Sequence, residues 1–576
     1  MAYTCYSAPG EQQIQLSATR LDRAISGCFR SLTTGFPSPS RKAALQNRPV
    51  TGETNNAAVV VETLPLNGEV CLPSNIGRCD LWNGHAMCPF LLGEKGYGMT
   101  HAPTGSHSQA TGYHRYHIPT QPAPDIEKWP SRFKVKVRRT GLAKLLLSEV
   151  VHYRGRKDVI LSRPCMYGVF SGPVGGFMPR EEHCVGCLRC TTEFPEFVRI
   201  EHNPERQKLG DSYFTFNYVD QIAYEASSGL VPVRGAGYRG KFGGEGWDGM
   251  WTDMSEIVRP TRDGIHGRET ISTVVDIGFT PNYLEFDTSG QPTGTTPHYL
   301  SIQLPIVLDA PQTELAAGVA RIYARTAAEL DTLVVLPFEY TAGLGEFGHA
   351  IVPVVRPEHA RRLGQLGFTP RIIEMQGWDE ALYAAIAAAF PQAIVALRTG
   401  FEETDALVGY AQRGIKVFHL LADYHGRSAD GGFVLDLIRE AHTAFVDAGI
   451  REEVTLLGSG GMIAAEHMPK AMICGLDAVA VDTPLLVALQ ARFGGECSAR
   501  GASSFRLPTD LNEAWGVQRL KNLCASWRDQ LLEILGAMGL REVRRLRGEM
   551  GRAMFMKTLE ADAFAGLLGY TEASNG

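Results

Sequence analysis

Three cysteines stand at the spacing C-x-x-C-x-x-C in the stretch EEHCVGCLRCTTEFPE: Cys184, Cys187 and Cys190. Thiols this close in the chain can converge on one metal centre. The bacterial iron–sulfur run continues with three residues, a fourth Cys and a Pro. Here Pro195 is in place, but Phe194 stands where the fourth cysteine would be. Three thiolates suffice for a three-iron cluster, and an outside ligand would complete a four-iron one. Cys165, in SRPCMYGVF, is the candidate for that ligand. Zinc is the competing metal, since C-x-x-C pairs bind it well. A metal-free remnant is the third reading.

A second group of chemically capable residues lies at the ends of apolar runs. LLGSGGMIAAEHMPKAMICGLDAVAVDTPLL places Ser459, Gly460 and Gly461 after one strand-like run, and Asp482 and Thr483 after the next. Glycines ahead of a helix let the backbone approach a phosphate, and free N–H groups at the helix start favour an anion. The bland alternative is a tight turn. HLLADYHGRSADGG ends another run with Asp423, His425 and Arg427, and holds His419 inside it. Asp423 and His425 are candidates for substrate orientation or proton transfer. Arg398 closes AIVALRTG, where a cation could stabilise negative charge on a bound ring, or simply form a rim salt bridge. Glu339, Glu346 and His349 lie in a Gly-containing loop, which reads better as solvated surface than as a metal or acid/base site.

The elements that must position these residues are legible from about 300 onward. Eight short β-branched runs alternate with Ala-rich helical stretches: QLPIVLD, TLVVLP, AIVPVV, RIIEM, AIVALR, KVFHLLAD, EVTLLGSGG and AVAVD. That order predicts an α/β fold, a (β/α)8 TIM-type barrel spanning 301–496, with a doubly wound open sheet as the alternative. Residues 497–576 read as a C-terminal helical extension capping the barrel, since WGVQRLKNLCASWRDQLLEILGAMG has apolar residues at helical spacing. Residues 125–204 form a cysteine-containing, ferredoxin-like segment, and 205–300 an irregular connection. Residues 1–124 read as low-complexity and disordered. Met99 offers an alternative start, and the early Cys5, Cys28, Cys71, Cys79 and Cys88 match no metal-site spacing.

The chain's 576 residues require more than one core. A net charge of -6 without a basic stripe argues against nucleic acid as a partner. No apolar run approaches the roughly 20 residues of a membrane span, and no basic, apolar leader opens the sequence, so a cytoplasmic protein is expected. In that compartment the twelve cysteines are expected to be thiols or metal ligands.

Residues from about 250 to 560 resemble the FMN-binding domain of the glutamate synthase family. The resemblance rests on TDMSEIVRPTRDGIHGRETISTVVDIG, QLPIVLDAP, the LLGSGG…AVDTPLLVAL segment and GLREVRRLRGEMGRAM. It implies an FMN-dependent oxidoreductase acting on CH–NH2 donors. Its phosphate would lie on Ser459, Gly460, Gly461, Asp482 and Thr483, with Arg398 near the flavin ring. Electrons would pass from an iron–sulfur centre (three- or four-iron) to the flavin. They would then reach an imine or 2-oxo acid, forming glutamate from 2-oxoglutarate and ammonia or glutamine nitrogen. An electron-donor protein or reductase subunit would be the partner. The departures are specific. No GQGAKPG-type loop is present, Arg398 replaces the family's Lys, and LQARFGGECSARG retains only Cys497 where larger members carry a cluster segment. No amidotransferase domain is visible. A flavin barrel with another oxidoreduction, or a cofactor-poor scaffold or regulatory subunit, are the alternatives these departures favour.

Overall fold

The computed structural model describes residues 116–156, 165–171, 175–232, 244–252, 270–281, 283, 285–293, 297–311, 317–401 and 404–567. The early cysteines, Met99 and most of the low-complexity region lie outside the described residues.

Eight parallel strands close into a barrel, which excludes the open sheet. The chain reaches them through a small N-terminal module. There β1 (Phe133–Val137) pairs antiparallel with β2 (Val198–His202), and between them lie α1 (Arg139–His152) and the short α2 (Arg189–Glu193). Next come α3 (Phe216–Ser228), β3 (Met250–Thr252), and the antiparallel pair β4 (Val275–Phe279) and β5 (His298–Ile302).

The barrel strands are β6 (Ile306–Asp309), β7 (Val334–Pro337), β8 (Ile351–Val355), β9 (Ile372–Gln376), β10 (Ile394–Gly400), β11 (Val417–Leu421), β12 (Thr455–Ser459) and β13 (Ala478–Val481). Each matches one apolar run of the sequence. Runs of Val, Ile and Leu suit strands buried on both faces, as a parallel sheet wrapped by helices requires. β13 pairs with β6, and so seals the cylinder. The connections are unequal. Helices α4 (Ala317–Glu329), α5 (Glu380–Ala389), α6 (Thr404–Gln412) and α7 (Val434–Asp447) follow β6, β9, β10 and β11. Only 3-10 turns follow β7 and β8, where Pro357 and several glycines interrupt helical propensity. After β12 and β13 come α8 (His467–Cys474) and α9 (Thr483–Ala488).

A two-stranded hairpin follows, β14 (Arg492–Phe493) with β15 (Phe505–Arg506), and then α10 (Glu513–Ala537). Asn512 caps α10 by accepting the N–H of Trp515. Its apolar face buries Leu520, Leu523, Trp527 and Leu531 against the barrel layer. The helical reading does not extend to LREVRRLRGEMGRAM. Gly539 and Gly548 adopt φ of 71°, and the segment folds as 3-10 turns leading to β16 (Ala553–Phe555), which pairs with β3. Its arginines are partnered rather than only solvated: Arg547 bonds Asp477 at 2.9 Å, and Arg544 bonds Asp276 at 2.7 Å.

The N-terminal module docks beside α9 and the hairpin. Gln490 Oε1 accepts the backbone N–H of Ile126 at 2.7 Å, and the Arg492 guanidinium lies 4.0 Å over the Trp129 ring. Asp220 of α3 binds both Arg132 and Arg206 of the module. Among the described residues no helix is long and apolar enough to cross a membrane.

Candidate functional site

Two places gather the chemically capable side chains, and they are built differently. The first is the cysteine module. Cys165, Cys184, Cys187 and Cys190 all line one small cavity, walled by Val135 and Ile200. The loop carrying the three clustered cysteines turns through left-handed backbone at Gly186 (φ 71°) and Leu188 (φ 60°). A Cβ at 186 would sit 2.4 Å from the Phe133 ring, so only glycine lets β1 close on this loop. The four thiols are free, with Cys184 buried and Cys187 exposed. Burial pushes the Cys184 thiol up, opposed by the Gly186 N–H. Burial and then the neighbouring Cys184 and Cys187 push the Cys190 thiol up. Phe194 holds the place of the absent fourth cysteine and stacks at 6.5 Å on Phe197. Cys165 comes from a segment well before the motif and lines the same cavity as the other three.

The second place is the C-terminal mouth of the barrel. Arg398 on β10 is fully buried and spans the barrel interior. It donates to both oxygens of Asp309 on β6 (3.0 and 3.1 Å) and to Glu374 on β9 (2.9 Å). His419 Nδ1 on β11 lies 2.8 Å from Glu374 Oε1. Burial raises the Asp309 carboxyl most strongly of any single influence, but Arg398, His419 and Arg500 together with the Arg398 hydrogen bond outweigh it and hold the group below the usual range. Arg398 is likewise held up by Asp309 and Glu374 against its own burial. The cation at this strand end is therefore matched by the chain's own carboxylates.

Ser459, Gly460, Gly461, Asp482 and Thr483 do come together, as their spacing implies, and all five are buried. A residue that the sequence did not single out joins them. Arg500, from the β14–β15 hairpin, places Nη2 2.8 Å from Ser459 Oγ and 2.8 Å from Asp482 Oδ2. Its Nε donates to the Ala422 carbonyl at 2.6 Å, and its Nη1 lies 3.3 Å from Asp309 Oδ2. Asp482 Oδ1 accepts the N–H of Thr483 at 2.6 Å, so the first N–H of α9 is already capped. Burial raises the Asp482 carboxyl above its usual range, with Arg500 opposing.

The glycine turn is closely covered. Gly460 and Gly461 take φ of 100° and 71°. A Cβ on Gly460 would lie 2.4 Å from the Asp423 carbonyl oxygen, and one on Gly461 2.5 Å from Gly426 Cα. These glycines admit neighbouring protein backbone. The Gly461 carbonyl accepts from Tyr213 OH (2.6 Å) and Trp247 Nε1 (2.9 Å). Nor does a helix start at the turn: α8 begins only at His467, with residues 462–466 between. As folded, the two loops do not fit a phosphate. The guanidinium there is shared by two carboxylates, and a carboxylate caps the nearer helix.

Asp423 and His425 stand at the rim. Asp423 Oδ1 accepts the N–H of His425 (2.9 Å) and of Arg427 (2.8 Å), which shapes the loop after β11. His425 Nε2 lies 2.9 Å from Asp211 Oδ2 and its ring stacks on Tyr213. The Asp211 hydrogen bond raises His425. Glu339 and Glu346 are paired with His359 and Arg321. Among the described residues, the Asp, Glu, His and Cys ligand atoms that gather in threes within 4.8 Å are those of Asp211, His425 and Glu496.

Residues 427–541, which hold both loops, the hairpin and α10, match the conserved region in glutamate synthase. Over these residues the chain is similar to the glutamate synthase family. Over 442 residues it is 23% identical to an archaeal-type glutamate synthase [NADPH] of Dehalococcoides mccartyi, an alignment covering 64% of this chain and 86% of that protein. It is 28% identical to the archaeal glutamate synthase [NADPH] of Methanocaldococcus jannaschii over 31% of this chain and 36% of the relative. The crystal structure of mandelate oxidase with benzoyl-formic acid aligns at 16% identity, covering 52% of this chain and 97% of that one. The TM-score of that alignment is 0.31.

Proposed function

We propose that this glutamate synthase-like chain is an oxidoreductase whose redox centre is an iron–sulfur cluster held by Cys165, Cys184, Cys187 and Cys190. The observation that carries the reading is the convergence of these four thiols on one cavity. A zinc ion bonds sulfur at about 2.3 Å and draws four ligands to within about 4 Å of one another. No three of these sulfurs lie within 4.8 Å of one another, and the C-x-x-C-x-x-C-x-x-x-x-P frame is what favours iron–sulfur over zinc. Apolar walls and N–H groups facing the sulfurs are the levers that set a cluster's potential. The proposed role is one-electron transfer between a donor protein and an acceptor.

A second reading is glutamate formation from 2-oxoglutarate and ammonia or glutamine nitrogen. It is favoured by the family match over residues 427–541 and by the names of the relatives. It would need a two-electron carrier beside the cluster, and FMN is the one the resemblance implies.

The test is an ultraviolet–visible spectrum of the full chain purified without oxygen, with iron and sulfide assayed on the same sample. A broad absorbance that bleaches with reductant is expected, together with iron and sulfide in equal amounts. Cys165→Ser and Cys187→Ser should each abolish or convert the signal. Zinc in place of iron, or an unchanged signal in both variants, would overturn the reading. Glutamate production from 2-oxoglutarate, ammonia and NADPH separates the two readings.

A further inference from the structure

We infer that Asp482 is an internal anion standing where a flavin phosphate would lie, with Arg500 as its counter-ion, so that the barrel mouth as folded excludes phosphate esters. The inference concerns the barrel alone and goes beyond the cluster reading. An anion site at this place needs N–H groups at the strand ends, a hydroxyl and a cation. The mouth has such groups, and its own carboxylate, Asp482, takes the N–H and hydroxyl of Thr483 on one oxygen and the guanidinium of Arg500 on the other. The same guanidinium also serves Ser459, the Ala422 carbonyl and Asp309.

A phosphate placed there would meet two largely buried carboxylates sharing the one nearby cation. Like charges in such surroundings repel strongly. Arg398, the other cation of the interior, is committed to Asp309 and Glu374. The buried polar atoms that lack partners around the mouth include the hydroxyls of Tyr323 and Tyr424, Nε2 of His419 and Nε of Arg398. None of these brings a positive charge that is not already matched.

The closure is tied to the rest of the chain. Arg500 is carried by the hairpin that begins at Arg492, and Arg492 packs on Trp129 at the entrance to the cysteine module. The barrel then serves the cluster module as a rigid base, and the hairpin both fastens that module and seals the mouth.

The experiment uses the full chain. Flavin released by acid is measured per chain in the wild type, and FMN is titrated into wild type and Asp482→Asn. The wild type should carry well under one flavin per chain. Asp482→Asn should bind FMN about tenfold tighter or more, a gain of about 1.4 kcal/mol or more, with inorganic phosphate competing. Stoichiometric flavin in the wild type would overturn the inference, and this arm stands even where the variant does not fold. Asp482→Asn binding FMN no better than the wild type would also overturn it. Iron and sulfide, measured on the same wild-type sample, report the cluster independently. Flavin present without iron would sink the cluster reading and this one together, whereas flavin with iron would sink only this one.

Discussion

The cysteine module and the barrel mouth both collect ligand-type residues, but one is open and the other is closed. In the module four thiols face a common cavity, and the core beneath them is thin: Val135, Val169, Cys184 and Val198 are its buried members. Such a module lacks apolar area to hold itself together, and a bound metal would supply the missing free energy. In the mouth, Arg398 and Arg500 are each claimed by two carboxylates of the chain. The difference teaches that a gathering of polar residues is not by itself a site. What counts is whether the chain has already satisfied them.

The largest effect that could break this contrast comes from removing one member of the closed network. Asp309 is fully buried and receives both Arg398 and Arg500. Asp309→Asn leaves those two cations short of a partner in the barrel interior. Unpairing a buried charge typically costs about 3–5 kcal/mol. A loss of that order is expected in urea unfolding followed by tryptophan fluorescence. Cys187→Ser, on the exposed side of the module, should leave the barrel transition in place. If Asp309→Asn unfolds within about 0.5 kcal/mol of the wild type, the network is not what holds the mouth shut.

A second closed network sits behind the mouth and gives the contrast a pH dependence. His442 on α7 accepts from Arg451 Nε at 3.0 Å and lies between two glycines. A Cβ on Gly475 would come within 2.4 Å of its Cβ, and one on Gly548 within 2.7 Å of its ring. Burial, then Arg451 and Arg547, depress its pKa from 6.5 to about 4. The unfolded chain takes up this proton near pH 6.5, and the folded one only near pH 4. The contribution is therefore complete above pH 6.5 and lost as the pH falls toward 4, for a total of roughly 3 kcal/mol. His442→Asn keeps an acceptor for Arg451 and cannot titrate. The stability of the wild type relative to this variant should fall across that window and stay level above it. Parallel curves would mean that the imidazole is no more protected than in the unfolded chain.

Legibility in the sequence followed the range of the forces involved. Each barrel strand is a local run of β-branched residues, so all eight were visible, as was the long α10. The triad of clustered cysteines is local too, whereas Cys165 was only a candidate for an outside ligand, because the sequence does not say whether the fold brings it near. Arg500 was not legible. It lies 18 positions after Asp482 in a Gly- and Ser-rich stretch, and only hairpin pairing between Arg492–Phe493 and Phe505–Arg506 swings it into the mouth. A signal did exist: Asp482 is an acidic residue at a place that spacing assigns to an anion, and a buried carboxylate needs a cation. The burial of Arg398 was equally hidden, because strand alternation says which face a residue takes but not what stands across a barrel.

The smallest effect tests where the metal belongs. Cys497 is the one cysteine of the β14–β15 hairpin loop, the place where the resemblance implies a cluster segment in larger proteins. It is buried, its thiol donates to the Ser504 carbonyl at 3.4 Å, and its backbone N–H donates to Asp211. Unlike the four cysteines of the module, it does not line their cavity, and burial pushes its thiol up. Its role is to pack the hairpin. Cys497→Ser exchanges one small donor for another, so a stability change within about 1 kcal/mol is expected, with iron and sulfide per chain unchanged. Lower iron in this variant, with the fold intact, would move the metal from the module to the mouth. The contrast between an open and a closed region would then be reversed.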